Sequence, residues 1–259
     1  MKHNIPVVIL CGGMGTRLRE ETEYKPKPMV EIGGKPILWH IMKIYACYGF
    51  TEFILCLGYK GNVIKEYFFR YEMMCNDCTI RLGKGNNIIY QNGHKEQDFK
   101  ITLVDTGYNT MTAGRIKRIE PYIKTDTFMV TYGDGLADID ILRLLNFHKS
   151  HGKMATLTAS RPPSRFGILD LANDGTVNRF REKVETEWIN GGFFVFQRDI
   201  FKYFTQDCML EQAPMEYMVN DGQLMAYRHD GFWIGMDTYR EYEILNKMWD
   251  SEKAPWKLW

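Results

Sequence analysis

The feature that most constrains the fold is a short apolar run near the start of the sequence, Ile5–Leu10, which ends at a glycine-rich turn. An uninterrupted apolar run of this length is typical of a parallel strand that is buried on both faces. After Gly34-Lys35-Pro36, apolar residues recur at helical spacing until Gly49, and Phe53–Leu57 then repeats the strand pattern. This alternation of strands and helices predicts an α/β fold with a mostly parallel sheet.

The alternation continues through the middle of the chain and changes character in the second half. Further strands are predicted at Ile101–Val104, Thr127–Tyr132, Met154–Ser160, Ile168–Leu171, Val177–Arg181 and Trp188–Phe196, and further helices at Val63–Tyr71, Met111–Tyr122 and Ile139–His151. Turns such as Asn173-Asp174-Gly175 separate the later strands, and a final helix is predicted near Thr238–Trp249. We therefore predict one continuous α/β unit with an added, smaller β-rich portion.

The charge balance argues against one class of protein. The 33 Lys and Arg residues almost balance the 32 Asp and Glu residues, which gives a formal net charge of +1. A protein that coats nucleic acid usually carries a clear basic excess, so no nucleic-acid partner is expected. No apolar run reaches membrane-spanning length, and Met1–Pro6 lack the layout of a signal peptide. We therefore predict a cytoplasmic protein without a membrane partner.

The six cysteines are scattered through the sequence, and in a cytoplasmic protein they are expected to be reduced thiols. Cys75 and Cys78 form a CxxC pair, a spacing that occurs in zinc and redox sites. Structural zinc sites usually have four ligands at defined spacing, and the sequence contains no second such pair. An incidental pair in a loop is therefore the preferred interpretation.

The glycine-rich turn follows the first strand and spans Leu10-Cys11-Gly12-Gly13-Met14-Gly15-Thr16-Arg17-Leu18. Successive backbone N–H groups in such a turn can form a nest for an anion, and Arg17 can bind a phosphate through two hydrogen bonds. Ligands of open parallel sheets bind beyond the carboxyl ends of the strands, where this turn is predicted to lie. The dinucleotide fingerprint requires a third glycine where Leu18 stands, and a Walker A loop requires Gly-Lys-Ser/Thr. A plain glycine-rich turn with a surface arginine is the alternative.

A stiffened pair of lysines, Lys25-Pro26-Lys27-Pro28, follows this turn, and Lys27 lies ten residues beyond Arg17. Proline fixes its own φ and favours extended backbone at the residue before it, so both lysines are expected to be extended and firmly aimed. A solvated basic loop would explain the charge but not its stiffening beside a predicted anion nest. Together the two segments predict a phosphate-binding site.

This arrangement resembles the signature of the sugar-1-phosphate nucleotidyltransferases, in which GG-x-GTRL is followed by a lysine ten residues beyond the arginine. The resemblance runs from the first strand to the last residues, through Lys25–Lys43, Thr131–Gly135, Asn190–Val195 and Ala254–Lys257. It implies a single domain with a Rossmann-like nucleotidyltransferase fold, in which helices flank a central, mostly parallel mixed sheet. It also implies a nucleotide-binding part at about residues 1–135 and a smaller β-rich, sugar-phosphate-binding part at about residues 136–259.

Two aspartates are the predicted metal ligands. Asp134 stands between Gly133 and Gly135 at the end of an apolar strand, which exposes its carboxylate and suits an Mg²⁺ ion shared with phosphate oxygens. An Asp-Gly turn is the alternative for this residue. Asp237 matches the second metal carboxylate of the family, although its own context favours an N-cap of the helix that follows. The resemblance implies Mg²⁺ as the cofactor.

The sugar-phosphate side depends on shorter matches. Glu182-Lys183 matches the family's Glu-Lys-Pro, which implies that Glu182 contacts sugar hydroxyls and Lys183 contacts the sugar phosphate. Val184 replaces the proline, so the charges are kept while the stiffening of the loop is lost. Gly167 and Asn190 match sugar-facing positions. An exposed ion pair, a turn glycine and a capping asparagine are the respective alternatives.

The start of a predicted helix completes the site. Thr112, Gly114 and Arg115 match a region that lies over the nucleotide base, where small residues would let backbone groups read the base edge. A plain helix start with Arg115 in solvent is the alternative. The predicted nucleotide-binding residues are Leu10, Cys11, Gly12, Gly13, Gly15, Thr16, Arg17, Lys27, Thr112, Gly114, Arg115 and Gly133. The predicted catalytic residues are Arg17, Lys27 and Lys183.

The extended match implies transfer of a cytidylyl group from CTP to α-D-glucose 1-phosphate, giving CDP-glucose and pyrophosphate. It also implies a homo-oligomer, a hexamer by family resemblance. The residues alone do not select cytosine, so a uridylyl-, thymidylyl- or guanylyltransferase acting on another sugar 1-phosphate stays open. A non-catalytic nucleotide or sugar-phosphate sensor is a further alternative, but it should have lost a metal carboxylate or the lysine. This chain keeps Asp134, Asp237 and Lys27.

Overall fold

The computed structural model describes residues 2–83, 87–96, 98–162, 168–181 and 187–259. The strands are β1 (Val7–Cys11), β2 (Glu31–Ile32), β3 (Lys35–Pro36), β4 (Glu52–Leu57), β5 (Cys78–Arg81), β6 (Asn87–Tyr90), β7 (Lys100–Asp105), β8 (Thr127–Tyr132), β9 (Gly135–Ala137), β10 (Ala155–Ser160), β11 (Ile168–Leu171), β12 (Val177–Arg181), β13 (Ile189–Gln197), β14 (Leu224–His229) and β15 (Trp233–Gly235). The α-helices are α1 (Arg19–Thr22), α2 (Ile37–Ala46), α3 (Gly61–Phe69), α4 (Tyr71–Cys75), α5 (Thr112–Arg118), α6 (Ile141–His151), α7 (Ala213–Asn220) and α8 (Tyr239–Asp250). Short 3₁₀ helices lie at Thr16–Leu18, Lys27–Met29, Glu120–Tyr122 and Arg198–Tyr203.

A seven-stranded sheet runs through the molecule in the order β14-β10-β13-β8-β1-β4-β7. β13 is antiparallel to both of its neighbours, whereas the other pairs in this sheet are parallel. Small two-stranded sheets pair β2 with β3, β5 with β6, β9 with β15 and β11 with β12. The predicted α/β fold, with a mostly parallel mixed sheet and added β elements, is confirmed.

The first strand is apolar at every position because it is buried on both faces. Val7 and Ile9 belong to a core layer that includes residues of α2, α6 and α8, whereas Val8 belongs to a layer with α5 and α7. Successive side chains of a strand point to opposite faces, so a central strand between two helix layers needs apolar residues throughout.

Among the described residues, no helix has the length and apolar character needed to cross a bilayer.

Two predicted helices differ from their sequence patterns, one in its length and one in its continuity. The helix expected to reach Tyr122 ends at Arg118 and gives way to a 3₁₀ turn that contains Pro121. Proline lacks the N–H that an α-helix needs, and its ring clashes with the carbonyl one turn earlier. The helix expected over residues 63–71 is divided at Arg70 into α3 and α4.

One edge of the sheet gathers the segments that carry the candidate site. β1, β4, β7 and β8 are parallel, so the residues that follow Cys11, Leu57, Asp105 and Tyr132 all lie at this carboxyl edge. β13 runs in the opposite direction, so its first residues, including Asn190, reach the same edge. The fold therefore brings the glycine-rich turn and Asn190 to one side of the sheet.

Candidate active site

The centre of the candidate site is a lysine held between two carboxylates. Lys27 Nζ donates to Asp134 Oδ2 and to Asp237 Oδ1, at 2.7 Å each. The Lys27 side chain is only 12% exposed, and burial by itself disfavours its charge. The charge of Asp134 and the hydrogen bonds to both carboxylates outweigh burial and raise the pKa of Lys27 above its ordinary value. The lysine is therefore held as an ammonium ion.

Arg17 joins this centre from the outside. Its Nη1 lies 3.3 Å from Asp237 Oδ2, and its side chain is 75% exposed. An exposed ion pair of this kind contributes little to stability, but it leaves the guanidinium accessible to a ligand. The predicted catalytic pair Arg17 and Lys27 is thus brought together around Asp237.

A strand pair that the sequence pattern did not reveal brings the two aspartates together. β15 pairs with β9 in an antiparallel register, with Gly235 opposite Gly135. Met236 N also donates to Asp134 O at 2.9 Å. Each strand has only three residues, too few for a recognisable alternation. This short ladder positions Asp237 against a carboxylate that lies far away in sequence.

The alternative interpretation of Asp237 as a helix N-cap is wrong. The N-cap of α8 is Thr238, whose side chain and backbone form a reciprocal capping box with Glu241. Such a box satisfies the backbone donors at the helix start. Asp237 is therefore not required as the cap and faces Lys27 instead.

The expectation that Lys27 has extended backbone is also wrong. Lys27 begins a 3₁₀ helix, in which Met29 N donates to Pro26 O and Val30 N donates to Lys27 O. The preference of the residue before a proline for extended backbone is a tendency, and here the buried Pro28 and Met29 favour the tight turn. The side chain is nevertheless firmly aimed, through its bonds to the two aspartates.

The glycine-rich turn has the features of an anion nest. Gly15 has a φ of +63°, and a Cβ on it would lie 3.2 Å from Lys27 Cβ, so the turn runs directly beside the lysine. Within the described part of the chain, the N–H groups of Gly13, Met14 and Gly15 have no protein acceptor. Free backbone donors beside a cation suit a phosphate.

The residues at the end of β1, before the glycine-rich turn, are buried. Leu10 and Cys11 end β1, and complete burial raises the pKa of the Cys11 thiol well above its ordinary value, which keeps it neutral. A Cβ on Gly133 would lie 2.7 Å from Leu10 O, so this glycine allows β8 to pass close to β1. For Thr16 the structure describes the backbone only.

Arg115 lies beneath the glycine-rich turn and is only 4% exposed. The alternative that places it in solvent is wrong. Its acceptors, at 2.8 to 3.2 Å, are Thr106 Oγ1 and the carbonyl oxygens of Gly12, Leu57, Gly107 and Tyr108. One guanidinium thus ties together the segments that follow β1, β4 and β7. It shapes the floor of the site, and direct contact with a nucleotide stays a prediction.

The start of α5 is covered by another segment of the chain. Thr112 Oγ1 accepts from Leu210 N at 2.7 Å, and Ala113 N donates to Cys208 O at 3.0 Å. A Cβ on Gly114 would lie 2.2 Å from Asp207 Oδ1, so the glycine leaves room for that carboxylate. The structure thus places Thr112 and Gly114 against residues 207–210, and their predicted contact with the nucleotide is not tested.

Of the four residues predicted to bind the sugar phosphate, the structure describes Asn190 alone. Its Nδ2 donates to Tyr132 Oη at 3.2 Å, and its Oδ1 accepts from Gly192 N at 3.0 Å. Tyr132 in turn donates to the Glu211 carboxylate. Gly167, Glu182 and Lys183 lie outside the described residues. Neither Tyr132 nor Glu211 was predicted; Tyr132 directly precedes the Gly-Asp-Gly motif, but nothing in the sequence singles out Glu211.

The two aspartates fit a hard divalent cation. Both offer carboxylate oxygens within hydrogen-bond distance of the same nitrogen, and oxygen ligands are those that Mg²⁺ prefers. Among the described residues, no group of three or more His, Cys, Asp and Glu side chains could hold a metal. Mg²⁺ in phosphate-transfer sites is commonly bound by one or two carboxylates, with substrate phosphates and water as the remaining ligands.

Comparison with known proteins agrees with this geometry. The family model for nucleotidyl transferases matches residues 6–237. The chain is 51% identical over 257 residues to glucose-1-phosphate cytidylyltransferase of Salmonella typhimurium, covering 97% of this chain and 98% of that protein. It is 48% identical over 255 residues to the "probable glucose-1-phosphate cytidylyltransferase" of Bacillus subtilis, covering 97% and 99% of the two.

A solved structure supports the fold. The crystal structure of HddC from Yersinia pseudotuberculosis complexed with GMP-PN aligns with a TM-score of 0.68 at 23% identity, covering 95% of this chain and 99% of that one. The match to the family model covers Lys27, Asp134 and Asp237, and the sequence relatives align with nearly the whole chain. The chain belongs to the nucleotidyl transferase family and is a nucleotidyltransferase.

Proposed function

We propose that this enzyme transfers the cytidylyl group of CTP to α-D-glucose 1-phosphate, forming CDP-glucose and pyrophosphate. The observation that carries the proposal is the 51% identity, over 97% of the chain, to a protein named glucose-1-phosphate cytidylyltransferase. The geometry supports the reaction type, because free backbone donors, two cations and two carboxylates meet at one edge of the sheet. The choice of cytosine and of glucose depends on the sequence relatives.

On the phosphate-binding side, different residues bind the triphosphate, neutralise the reacting phosphate and hold the metal. The backbone of residues 12–15 and the exposed Arg17 bind the triphosphate, and Lys27 neutralises the α-phosphate or the leaving pyrophosphate. Asp134 and Asp237 would hold Mg²⁺, which when bound screens the phosphate charge and polarises the α-phosphate. Lys27 then moves from the carboxylates towards the phosphates.

The reaction needs alignment more than covalent help from the protein. An oxygen of the sugar phosphate attacks the α-phosphorus of CTP, one P–O bond forms, and the bond to the pyrophosphate oxygen breaks. No proton has to be removed from the nucleophile, because the sugar phosphate is already an anion. The protein has to hold two mutually repelling anions in line and neutralise the charge that develops.

The sugar-phosphate side is assigned by family resemblance. Lys183 positions the attacking phosphate, Glu182 binds sugar hydroxyls, and Gly167 and Asn190 complete the pocket. Residues of about 1–135 bind the nucleotide, and residues of about 136–259 bind the sugar phosphate.

Three further assignments accompany this proposal. Mg²⁺ is the cofactor that the family resemblance implies, and the oxygen ligands of the carboxylate pair suit it. The enzyme works in the cytoplasm, in line with the six free cysteines. It forms a homo-oligomer, a hexamer by family resemblance.

Pyrophosphate release from the purified protein tests the proposal. Four nucleoside triphosphates are combined with glucose 1-phosphate and with other sugar 1-phosphates, with and without Mg²⁺. We expect the highest kcat/KM for CTP with glucose 1-phosphate, and no release without a divalent cation. A higher kcat/KM with UTP or dTTP would overturn the cytidylyl assignment. Absence of turnover with every pair would overturn the proposed reaction.

A further inference from the structure

Tyr132 is held in one position at the end of β8. Its ring contacts Phe194 edge-on, with the ring centroids 5.7 Å apart. On the neighbouring strand, Gly192 has a φ of +78°, and a Cβ there would lie only 2.4 Å from Tyr132 Cδ2. β13 therefore makes room for this ring at the point where it passes β8. The hydroxyl is directed towards the start of β13 and the segment before α7 by a rigid frame.

The hydroxyl has a defined direction of hydrogen bonding. Tyr132 donates its proton to Glu211 and accepts from Asn190 Nδ2. Because its single proton is committed to the carboxylate, the oxygen faces Asn190 as an acceptor.

This arrangement fixes the amide of Asn190. Its Oδ1 accepts from Gly192 N, and one proton of its Nδ2 is taken by Tyr132. A flipped amide would set its NH₂ group against the Gly192 N–H and its oxygen against a hydroxyl oxygen whose proton points away. One Nδ2 proton is left, and it can only donate.

We propose that Tyr132, held by Glu211, is a positioning residue that orients Asn190 so that its remaining N–H donates to an oxygen of the sugar phosphate substrate. The inference rests on the proposed function, in which Asn190 faces the sugar phosphate. Tyr132 itself does not touch the reacting atoms. Its effect is to make Asn190 a donor of fixed direction, which selects a substrate with an acceptor at that place.

A double-mutant cycle with Tyr132→Phe and Asn190→Ala tests this role. Tyr132→Phe removes the hydroxyl and keeps the ring that fills the space beside Gly192. We expect the KM for glucose 1-phosphate to rise about tenfold, the effect of losing one well-oriented hydrogen bond, while kcat and the KM for CTP change less than about twofold. In the Asn190→Ala background, Tyr132→Phe should add nothing, because it acts through Asn190.

Tyr203→Phe is the matched control. Tyr203 also donates to a carboxylate, Asp221 Oδ2, at 2.7 Å. Its removal should lower stability about as much as Tyr132→Phe does, without changing the KM for glucose 1-phosphate. If Tyr132→Phe and Tyr203→Phe changed the KM for glucose 1-phosphate equally, the proposal would be overturned. It would also be overturned if Tyr132→Phe raised this KM by the same factor in the wild type and in the Asn190→Ala background.

A second readout does not depend on turnover. In ¹⁵N-labelled protein, the Asn190 side-chain amide proton that is donated to Tyr132 should exchange slowly in the wild type and faster in Tyr132→Phe, with other asparagines unchanged. Unchanged exchange in the variant would overturn the positioning role even if the enzyme is active. If the wild type turns over no substrate pair, the proposed function fails, while this exchange measurement still decides whether Tyr132 orients Asn190.

Discussion

Two cations at the same edge of the sheet are held in opposite ways. Lys27 is bound by two carboxylates, whereas Arg115 is bound by four backbone carbonyl oxygens and a hydroxyl. Carboxylates can exchange a lysine for a metal ion, because both partners are cations. The carbonyl oxygens around Arg115 carry no net charge, so they attract a divalent metal ion less strongly than carboxylates do. From this comparison we expect Lys27 to move during the reaction and Arg115 to keep its place in the scaffold.

The largest effect should come from Lys27→Ala. We expect kcat/KM to fall about 10³-fold, because the phosphates lose the cation that offsets their developing charge. Circular dichroism should be unchanged. Lys25→Ala is the control, since Lys25 lies in the same motif but pairs with Glu21 at 3.5 Å, and it should retain activity within about threefold. Near-normal turnover of Lys27→Ala would remove Lys27 from the mechanism.

Arg115→Met should act on stability. It leaves buried carbonyl oxygens such as that of Gly12 without a donor, and each unpaired group costs about 1–3 kcal/mol. We expect a loss of about 3 kcal/mol, which lowers Tm by roughly 6–12 °C in a chain of this size. Arg118 is an exposed arginine on the same helix that donates to Thr106 O, and Arg118→Met should lower Tm far less. Equal losses would contradict a scaffold role for Arg115.

Lys27→Met should strengthen metal binding in the absence of nucleotide. The ammonium of Lys27 occupies both carboxylates, and its raised pKa keeps it charged at neutral pH, so a metal ion has to displace it. Titration calorimetry with Mn²⁺ should give a Kd about tenfold lower for this variant than for the wild type. Lys25→Met should leave the Kd unchanged. An equal or weaker Kd in Lys27→Met would argue against competition between lysine and metal.

Arg17→Gln should have the smallest effect of the set. Arg17 is exposed and forms one ion pair at 3.3 Å, so its loss should not change Tm measurably. We expect the KM for CTP to rise about fivefold, because one of the cations that bind the triphosphate is lost. The difference should shrink at high salt, since screening weakens exposed charges. A large fall in Tm would show that Arg17 belongs with Arg115 instead.

The first strand, the turn after it and the position of Lys27 in the site could be predicted from the sequence. The uniformly apolar β1 and the glycines after it predicted a buried parallel strand that ends at a phosphate-binding turn, because burial and turn geometry leave local patterns. Lys27 was predicted through the family resemblance, whose signature has a lysine ten residues beyond the arginine. The backbone at Lys27 was not predicted correctly, because buried neighbours outweighed the local preference of the residue before a proline.

The assembly of the site could not be predicted from local patterns. The approach of Asp237 to Asp134 depends on a pair of three-residue strands. The burial of Arg115 depends on carbonyl oxygens from three separate segments of the chain. Glu211 reaches Tyr132 across a large distance in sequence. Contacts of this kind are set by tertiary packing and leave no periodic signal in the chain.

The most direct test of the account is a crystal structure with Mg²⁺ and a non-hydrolysable CTP analogue. We predict that the metal binds Asp134 and Asp237, that Lys27 Nζ leaves at least one of these carboxylates for a phosphate oxygen, and that the hydrogen bonds of Arg115 are unchanged. A structure in which Lys27 still bridges both carboxylates, or in which Arg115 leaves Gly12 O for the nucleotide, would contradict the account.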